Sequence, residues 1–360
     1  MPGTRGVSLV RSAVARRIGF GFLLSVLALS LGISIVLAAA LGSADISPAD
    51  SWRIVVHQLS GERIFELTWT NAEERIVWHI RVPRAVLAIL VGASLSVVGA
   101  VLQAMVRNPL ADPTLLGGTA GAGFGAVAVI VLGISWLGTY SLAASAFLGA
   151  LIAFSLTFAL AGARGRMTPA RLVLAGVAIG YVLTAATSAL LFMSDSNGAF
   201  RAAMFWLAGG LGGASWDRIA IPAVPLAVGL GYLMSQARAL NALLFGEETA
   251  TSLGVSPERF RRVLFVVAAL LTGASVALAG GIGFVGLVVP HAARLILGPD
   301  HARLLPTVCL GGGLFLLWAD VLARIIVQPQ ELPIGVITAL VGAPLFGLLL
   351  ARHSGLGHSP

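Results

Sequence analysis

Residues 245–262 read FGEETATSLGVSPERFRR and form a charged stretch between two uncharged apolar runs, residues 219–237 and 263–291. Each flanking run is long enough for a membrane-spanning helix, since a bilayer core about 30 Å thick requires about 20 apolar residues. The charged stretch is therefore predicted to lie across one end of a bundle of membrane helices.

Local signals predict a short helix over residues 246–253. Glu247 and Glu248 fall in its first turn, where carboxylates interact favourably with the positive end of the helix dipole. Gly254 suits the left-handed position that follows a helix end. Ser256 and Pro257 are typical of the start of the next helix.

Such a helix would present Ala250, Leu253 and the two acids Glu247 and Glu248 at the membrane surface. From the residues alone, the usual interpretation of such a helix is a solvated connector between two membrane spans.

Composition indicates a membrane protein. The mean hydropathy is +0.95 and charged residues make up 11% of the chain, whereas charge in soluble domains is near a quarter. We predict an all-α polytopic membrane protein with a single domain over residues 1–360, because the apolar runs leave no room for a second folded domain.

All 23 basic residues are arginine and none is lysine. A Walker A phosphate-binding loop requires a lysine, so any ATP that drives this protein must be bound by another chain. The net charge of +8 does not indicate a nucleic-acid partner, because arginine is commonly held on the cytoplasmic side of membrane proteins. The single cysteine, Cys309, excludes a disulfide framework.

Uncharged runs predict ten membrane spans, which places both termini on the same side. The spans cover residues 18–41, 84–106, two within 113–163, 171–193, 219–237, 263–281, 284–297, 306–323 and 334–351. Ser47 with Asp50 three residues later predicts a further short amphipathic helix toward Leu59.

The arginine distribution places the termini in the cytoplasm. With the N-terminus inside, inner segments hold 15 of the 23 arginines but only 5 of the 15 acidic residues, as the positive-inside rule expects. The N-terminal tail, residues 1–17, and the loop of residues 238–262 are then cytoplasmic.

A weak internal repeat predicts two topologically inverted five-helix halves. At an offset of 181 residues, Gly92 to Ser94 match Gly273 to Ser275, and Pro109 matches Pro290. Inverted repeats are common in transporters, although small residues also recur because they let membrane helices approach closely.

Three arginines stand at predicted outer helix ends: Arg81 and Arg84 before span two, and Arg324 after span nine. They could snorkel to the interface or bind a partner's carboxylates.

Asp320 is an acid inside an apolar span. It is either a candidate functional group or the ion-pair partner of Arg324, one turn later. His291 has no second ligand at metal-binding spacing, so we predict a structural histidine and no metal site.

Several long runs resemble the FecCD-type permeases of ABC importers for iron-siderophores, haem and cobalamin, in order and over nearly all of residues 47–350. They include RVPRAVLAILVGASLSVVGAVLQAMVRNPLADPTLLG at 81–117, GEETATSLGV at 246–255, GGIGFVGLVVPHAARLILGPDHARLLP at 280–306 and ELPIGVITALVGAPLF at 331–346.

This resemblance implies a homodimer that contacts lipid in the inner (plasma) membrane. It also implies two cytoplasmic ATPase subunits that use the ATP, and a periplasmic or lipid-anchored substrate-binding protein. The chain itself is expected to bind no cofactor and to have no enzymatic activity. By matching text, the resemblance assigns ATPase coupling to Gly246, Glu247, Glu248, Ala250, Leu253 and Gly254, the cytoplasmic gate to Asn108, Leu110, Thr168, Pro169 and Ala170, and binding-protein docking to Arg81, Arg84 and Arg324.

We therefore expect a permease subunit that imports an iron(III)-siderophore or similar metal chelate, with haem or cobalamin as the alternative. Cobalamin-type permeases carry adjacent hydroxyls in the gate turn, whereas Pro169 and Ala170 leave only Thr168 here. A more distant alternative is an ion-coupled secondary transporter. Such carriers usually place acids or histidines near the midplane, a position that only Asp320 approaches.

Overall fold

The apolar runs of the sequence form helices in the computed structural model, which describes residues 3–42, 46–61, 64–163 and 168–354, with side chains from residue 19 to residue 348. These ranges contain no β-strand. Their α-helices are α1 (Gly3–Ala40), α2 (Pro48–Ser60), α3 (Asn71–Arg75), α4 (Val82–Val106), α5 (Gly118–Leu132), α6 (Ser141–Gly162), α7 (Pro169–Phe192), α8 (Asn197–Leu207), α9 (Ala220–Ser235), α10 (Ala237–Leu244), α11 (Glu247–Ser252), α12 (Pro257–Ala279), α13 (Val285–Leu297), α14 (His301–Ile325) and α15 (Ile334–Ser354).

Seven helical segments of the described chain are long and apolar enough to cross a membrane. They are Gly19–Ala40, Asn71–Val106, Gly138–Gly162, Pro169–Phe192, Trp216–Ser235, Pro257–Ala279 and His301–Ile325. Three shorter apolar helices, Gly118–Leu132, Val285–Leu297 and Ile334–Leu348, lie between or after them. The polytopic all-helical prediction is confirmed, while the count of ten spans and the side of the termini stay predictions.

The first helix is longer than predicted. α1 begins at Gly3, so most of the tail assigned to residues 1–17 continues the helix of the first span. Residues 1 and 2 lie outside the described part of the chain. So do Arg164 and Arg166 and the side chains of the tail arginines, all of which entered the charge count.

The predicted amphipathic helix is present as α2. The Ser47 hydroxyl accepts a hydrogen bond from the Asp50 N–H at 3.0 Å, and Gly61 ends the helix in the left-handed region. Farther along, a π-helical turn over Ile76–Arg81 joins α3 to α4, which makes one continuous helical segment of 36 residues.

α4 lies at the centre of the bundle, where it packs against α12, α13 and α14. Glycines permit the closest of these contacts. A Cβ added to Gly92 would clash with the carbonyl of Gly312 on α14, and one on Gly99 would clash with Gly286 on α13. Small residues in this role are typical of membrane helix packing.

The internal repeat gains no direct support from local structure. Pro109 follows α4 in a turn, whereas its counterpart Pro290 lies inside α13. The two inverted halves therefore remain a prediction.

Candidate functional site

Two glycines set the ends of α11. Gly246 has φ of +113° and Gly254 has φ of +80°, a region that favours glycine. The Val255 N–H donates to the Ala250 carbonyl and the Gly254 N–H donates to the Thr251 carbonyl, both at 2.9 Å. These two bonds form a Schellman motif, so the predicted short helix and its glycine stop are confirmed.

Glu247 is bonded back to the membrane bundle. The Nη1 of Arg261, on α12, donates to Glu247 Oε1 at 2.7 Å, and Arg261 is only 5% exposed. The neighbouring Glu248 is exposed. Of the two acids predicted for ATPase coupling, Glu247 is thus engaged within the chain and Glu248 faces solvent.

Ala250 is completely buried, so the expectation that α11 presents it is wrong. It belongs to a core cluster that includes Leu243 of α10 and Phe260 of α12. The apolar groups that α11 and its flanks do expose are Phe245 and Leu253, which are 75% and 67% exposed. We call Phe245, Glu248 and Leu253 the coupling surface.

A cavity of about 550 Å³ separates α11 from the turn that precedes α7. Its lining includes Thr168, Glu247, Thr251 and Glu258. The structure therefore brings one predicted gate residue, Thr168, to the loop of residues 238–262, which we call the coupling loop.

The gate turn itself is a helix start. Thr168 Oγ1 accepts a hydrogen bond from the Arg171 N–H at 3.4 Å, and Pro169 is the first residue of α7. Proline suits this position because its missing N–H would have no partner inside the helix. Ala170 is exposed beside it.

The other two predicted gate residues lie in the turn after α4. Asn108 Oδ1 accepts from the Leu110 N–H at 2.9 Å, a local side-chain bond that shapes a turn. Both residues are exposed.

Asp112, four residues after Asn108, is buried. Burial raises the pKa of its carboxyl above the ordinary value, although the Thr114 N–H donates a hydrogen bond to it.

The three arginines assigned to docking are buried rather than exposed at a rim. Arg81, Arg84 and Arg324 are 5%, 7% and 7% exposed. Arg81 Nη1 donates to the carbonyls of Ala39 and Ala40 at 2.8 and 2.7 Å. The end of a helix leaves such carbonyls unpaired, so Arg81 caps α1.

Arg324 also reaches α1, and donates to the carbonyls of Leu41 and Ala38 at 2.9 and 3.2 Å. Its Nε bonds Asp320 Oδ2 at 3.1 Å, so the ion pair that the sequence offered as one interpretation of Asp320 is present. Asp320 is completely buried. Arg324 therefore both caps the end of α1 and acts as a counterion for Asp320 on α14.

Arg84 completes this cluster from α4. It pairs with Asp320 at 2.9 Å and with Glu331 at 2.9 Å. We call Arg81, Arg84, Arg324, Asp320 and Glu331 the ion cluster; three arginines meet two carboxylates in it. A cavity of about 200 Å³ borders the cluster.

Sequence reasoning did not assign Glu331, which follows a cis Gln328–Pro329 bond in the loop before α15. Its side chain is 43% exposed, whereas that of Asp320 is fully buried. Glu331 opens the run ELPIGVITALVGAPLF, which carries part of the family resemblance, but nothing local linked this acid to Arg84.

Among the described residues, no group of three or more His, Cys, Asp or Glu side chains could hold a metal ion. His291 packs edge-on against the Phe346 ring, with the ring centroids 6.0 Å apart. This contact is consistent with the structural role predicted for His291.

The family of this chain can be identified by comparison with known proteins. The model of the FecCD transport family matches residues 30–352. The chain belongs to the FecCD transport family.

Relatives of this FecCD protein share much of its length. A cobalamin import system permease protein of Halobacterium salinarum is 48% identical over 276 residues, which cover 76% of this chain and 73% of the relative. A vitamin B12 import system permease protein of Klebsiella pneumoniae is 42% identical over 291 residues, covering 80% and 86%.

A solved structure also resembles the FecCD chain. It is described as an inward-facing conformation of a metal-chelate type ABC transporter, with a TM-score of 0.80 and 30% identity. The match covers 92% of this chain and 99% of the solved one.

Proposed function

We propose that this chain is the permease subunit of a binding-protein-dependent ABC importer for cobalamin. The observation that carries the proposal is the coupling surface. It exposes a carboxylate and two large apolar groups on a short helix fixed to the bundle, where a cytoplasmic partner can push on the membrane helices. The absence of lysine means that this partner must supply the phosphate-binding loop.

Cobalamin replaces the iron(III)-siderophore that the sequence alone favoured. Two relatives above 40% identity carry cobalamin or vitamin B12 in their names. The single hydroxyl of the turn at Thr168 remains a difference from the cobalamin pattern. The siderophore and haem alternatives are therefore retained as arms of the test.

In this proposal, two copies of the chain form the translocation pathway between them in the inner membrane. Each copy has ten spans in two inverted halves with cytoplasmic termini. ATP closes two ATPase subunits, α11 moves with them, and the central path changes the side to which it opens.

The ion cluster is the proposed docking region for a periplasmic binding protein. Because its arginines are buried, a partner's acid would reach Arg84 only by competing with Glu331, the exposed member. The net excess of one arginine over the carboxylates in the cluster supports an acidic partner.

An ion-coupled carrier is less well supported. Such a mechanism needs an acid that can gain and lose a proton or an ion, but Asp320 is fully buried between Arg84 and Arg324. Both oxygens of its carboxylate accept hydrogen bonds from these guanidinium groups.

The test is uptake into proteoliposomes that contain the permease, its ATPase and its binding protein. Labelled cyanocobalamin should be transported only when ATP is present on the side of the membrane that carries the ATPase subunits. Uptake of a ferric siderophore or haemin instead would assign a different chelate. Uptake driven by an ion gradient without the ATPase would reject the importer proposal.

A further inference from the structure

Asn241, on α10, bridges the coupling loop to the start of α14. Its Nδ2 donates to Asp300 Oδ1 at 2.8 Å. Its Oδ1 accepts from the backbone N–H of His301 at 2.9 Å and lies 2.7 Å from His301 Nδ1. One amide therefore makes three contacts to two consecutive residues, which we call the Asn241 clamp.

The surroundings leave the amide a single orientation. A flipped amide would aim its oxygen at the Asp300 carboxylate and its NH₂ group at the His301 N–H, so both contacts would be repulsive. With Oδ1 fixed as an acceptor, His301 must carry its proton on Nδ1 to donate to it. Asp300 is also the cap of α14, since its Oδ1 accepts from the Ala302 N–H at 3.2 Å.

The clamp joins the segment that carries the coupling surface to a long membrane helix. Only Phe245 and Gly246 separate α10 from α11. α10 buries an apolar side, including Leu240 and Leu243, and packs against both α4 and α14. A push on α11 therefore reaches α10 through a link of two residues.

The far end of α14 carries Asp320 and Arg324. A helix of 25 residues transmits a displacement along its length, at a rise of about 1.5 Å per residue. The clamp and the ion cluster thus lie at opposite ends of one continuous helix, the first beside the coupling loop and the second beside α1.

Apolar contacts transmit such a push through close packing but do not fix its direction, because the hydrophobic effect is non-directional. The hydrogen bonds of Asn241 are directional and one of them goes to a charged carboxylate, which makes it stronger than a bond between neutral groups. His301 is fully buried, so water is not at hand to replace its partner.

We propose that Asn241 is the positioning residue that transmits movement of the coupling loop to α14. The proposal rests on the ATPase-coupling role proposed above for the coupling surface. Loss of the clamp uncouples ATP hydrolysis from transport, while the ATPase stays bound, because the coupling surface itself is unchanged.

The test uses the complete complex in proteoliposomes and measures cobalamin transported per ATP hydrolysed. Asn241→Asp places a second carboxylate against Asp300, so the ratio should fall at least about tenfold while ATPase co-purification is retained. Asn241→Ser removes the amide without adding charge, and it should also lower the ratio of cobalamin transported to ATP hydrolysed.

The swap Asn241→Asp with Asp300→Asn should restore the ratio to within about threefold of the wild type. In it, the carboxylate at 241 accepts from His301, and the amide at 300 donates to that carboxylate. Asp300 Oδ1 makes both the contact to Asn241 and the cap of α14 in the wild type, so the amide at 300 keeps the cap only by turning its own oxygen toward the Ala302 N–H. The matched control is Asn71→Asp, the same change at an exposed helix start far from the clamp.

An unchanged ratio in both single variants would overturn the proposal. So would a swap that assembles, with the thermal midpoint of the wild type, but keeps the low ratio. If Asn241→Asp does not assemble, the Ser variant and the swap decide the matter alone. A wild-type complex that does not retain the ATPase would instead refute the proposed coupling function, which separates the two failures.

Discussion

Arg261 of α12 holds Glu247 of α11 at 2.7 Å, and this contact connects the coupling loop to the first turns of a membrane helix. The pair divides the two acids of the loop by role. Glu247 fixes the loop in place, whereas Glu248 is exposed to solvent.

Exposed residues of the coupling surface should control ATPase binding. Glu248→Arg together with Leu253→Asp should lower co-purification of the ATPase at least about tenfold without changing the thermal midpoint, because neither side chain is buried. Pull-down from detergent extracts measures this. Retention of the ATPase by the double variant would show that α11 does not contact it.

Glu247→Gln should act on stability instead. It deprives a buried arginine of its charged partner, and we expect a loss of about 1–2 kcal/mol, below the full cost of breaking a buried pair because Glu247 is partly exposed. The matched control is Glu258→Gln, which breaks the exposed pair with Arg262 at 3.0 Å and should cost about 0.5 kcal/mol or less. Equal losses in thermal unfolding would contradict the assignment.

Within the ion cluster, Asp320 should contribute more to the stability of the fold than Glu331. Asp320→Asn leaves two buried guanidinium groups without their shared carboxylate, so it should destabilise the protein by about 3 kcal/mol or more. Glu331→Gln should cost less than about 1 kcal/mol, since this acid is partly exposed. Thermal unfolding in detergent compares the two variants.

Glu331→Gln should also strengthen the binding protein's association a few-fold at low salt. The change frees Arg84 Nη1 for a partner's acid, and the charge-steered encounter with an acidic partner is sensitive to salt. Surface plasmon resonance on immobilised permease measures the effect. Unaltered or weaker binding would argue against docking at Arg84.

Gly92 should tolerate no side chain. Gly92→Ala drives a methyl into the Gly312 backbone on α14, and overpacking typically costs about 1–3 kcal/mol. Gly231→Ala is the control, because its added methyl meets no atom within 4 Å on α9. The control should be neutral or slightly stabilising. A similar loss of stability in both variants would show that helix propensity, and not packing against α14, causes the loss.

Local features of the fold could be predicted from the sequence because their causes are local. The helix stop at Gly254 and the cap at Ser47 depend on residues within one turn. The order of the apolar helices follows from runs of about 20 residues that a bilayer requires.

Features that depend on distant residues could not be predicted. A six-residue helix has too few positions to show which side is buried, so the inward position of Ala250 was missed. The burial of Arg84 depends on Asp320, which lies 236 residues away. The Asn241 clamp likewise joins residues about sixty positions apart, with no periodic pattern to mark it.

The separation of Arg84 from Asp320 also has a consequence for biosynthesis. A ribosome that has just made α4 has not yet made the carboxylates that neutralise its guanidinium, so α4 enters the membrane with an unmatched cation. That charge finds its counterions only when α14 and the loop before α15 have been synthesised. A chain that terminates before α14 keeps the cation without its counterions, and an unpaired charge within a membrane helix is energetically costly.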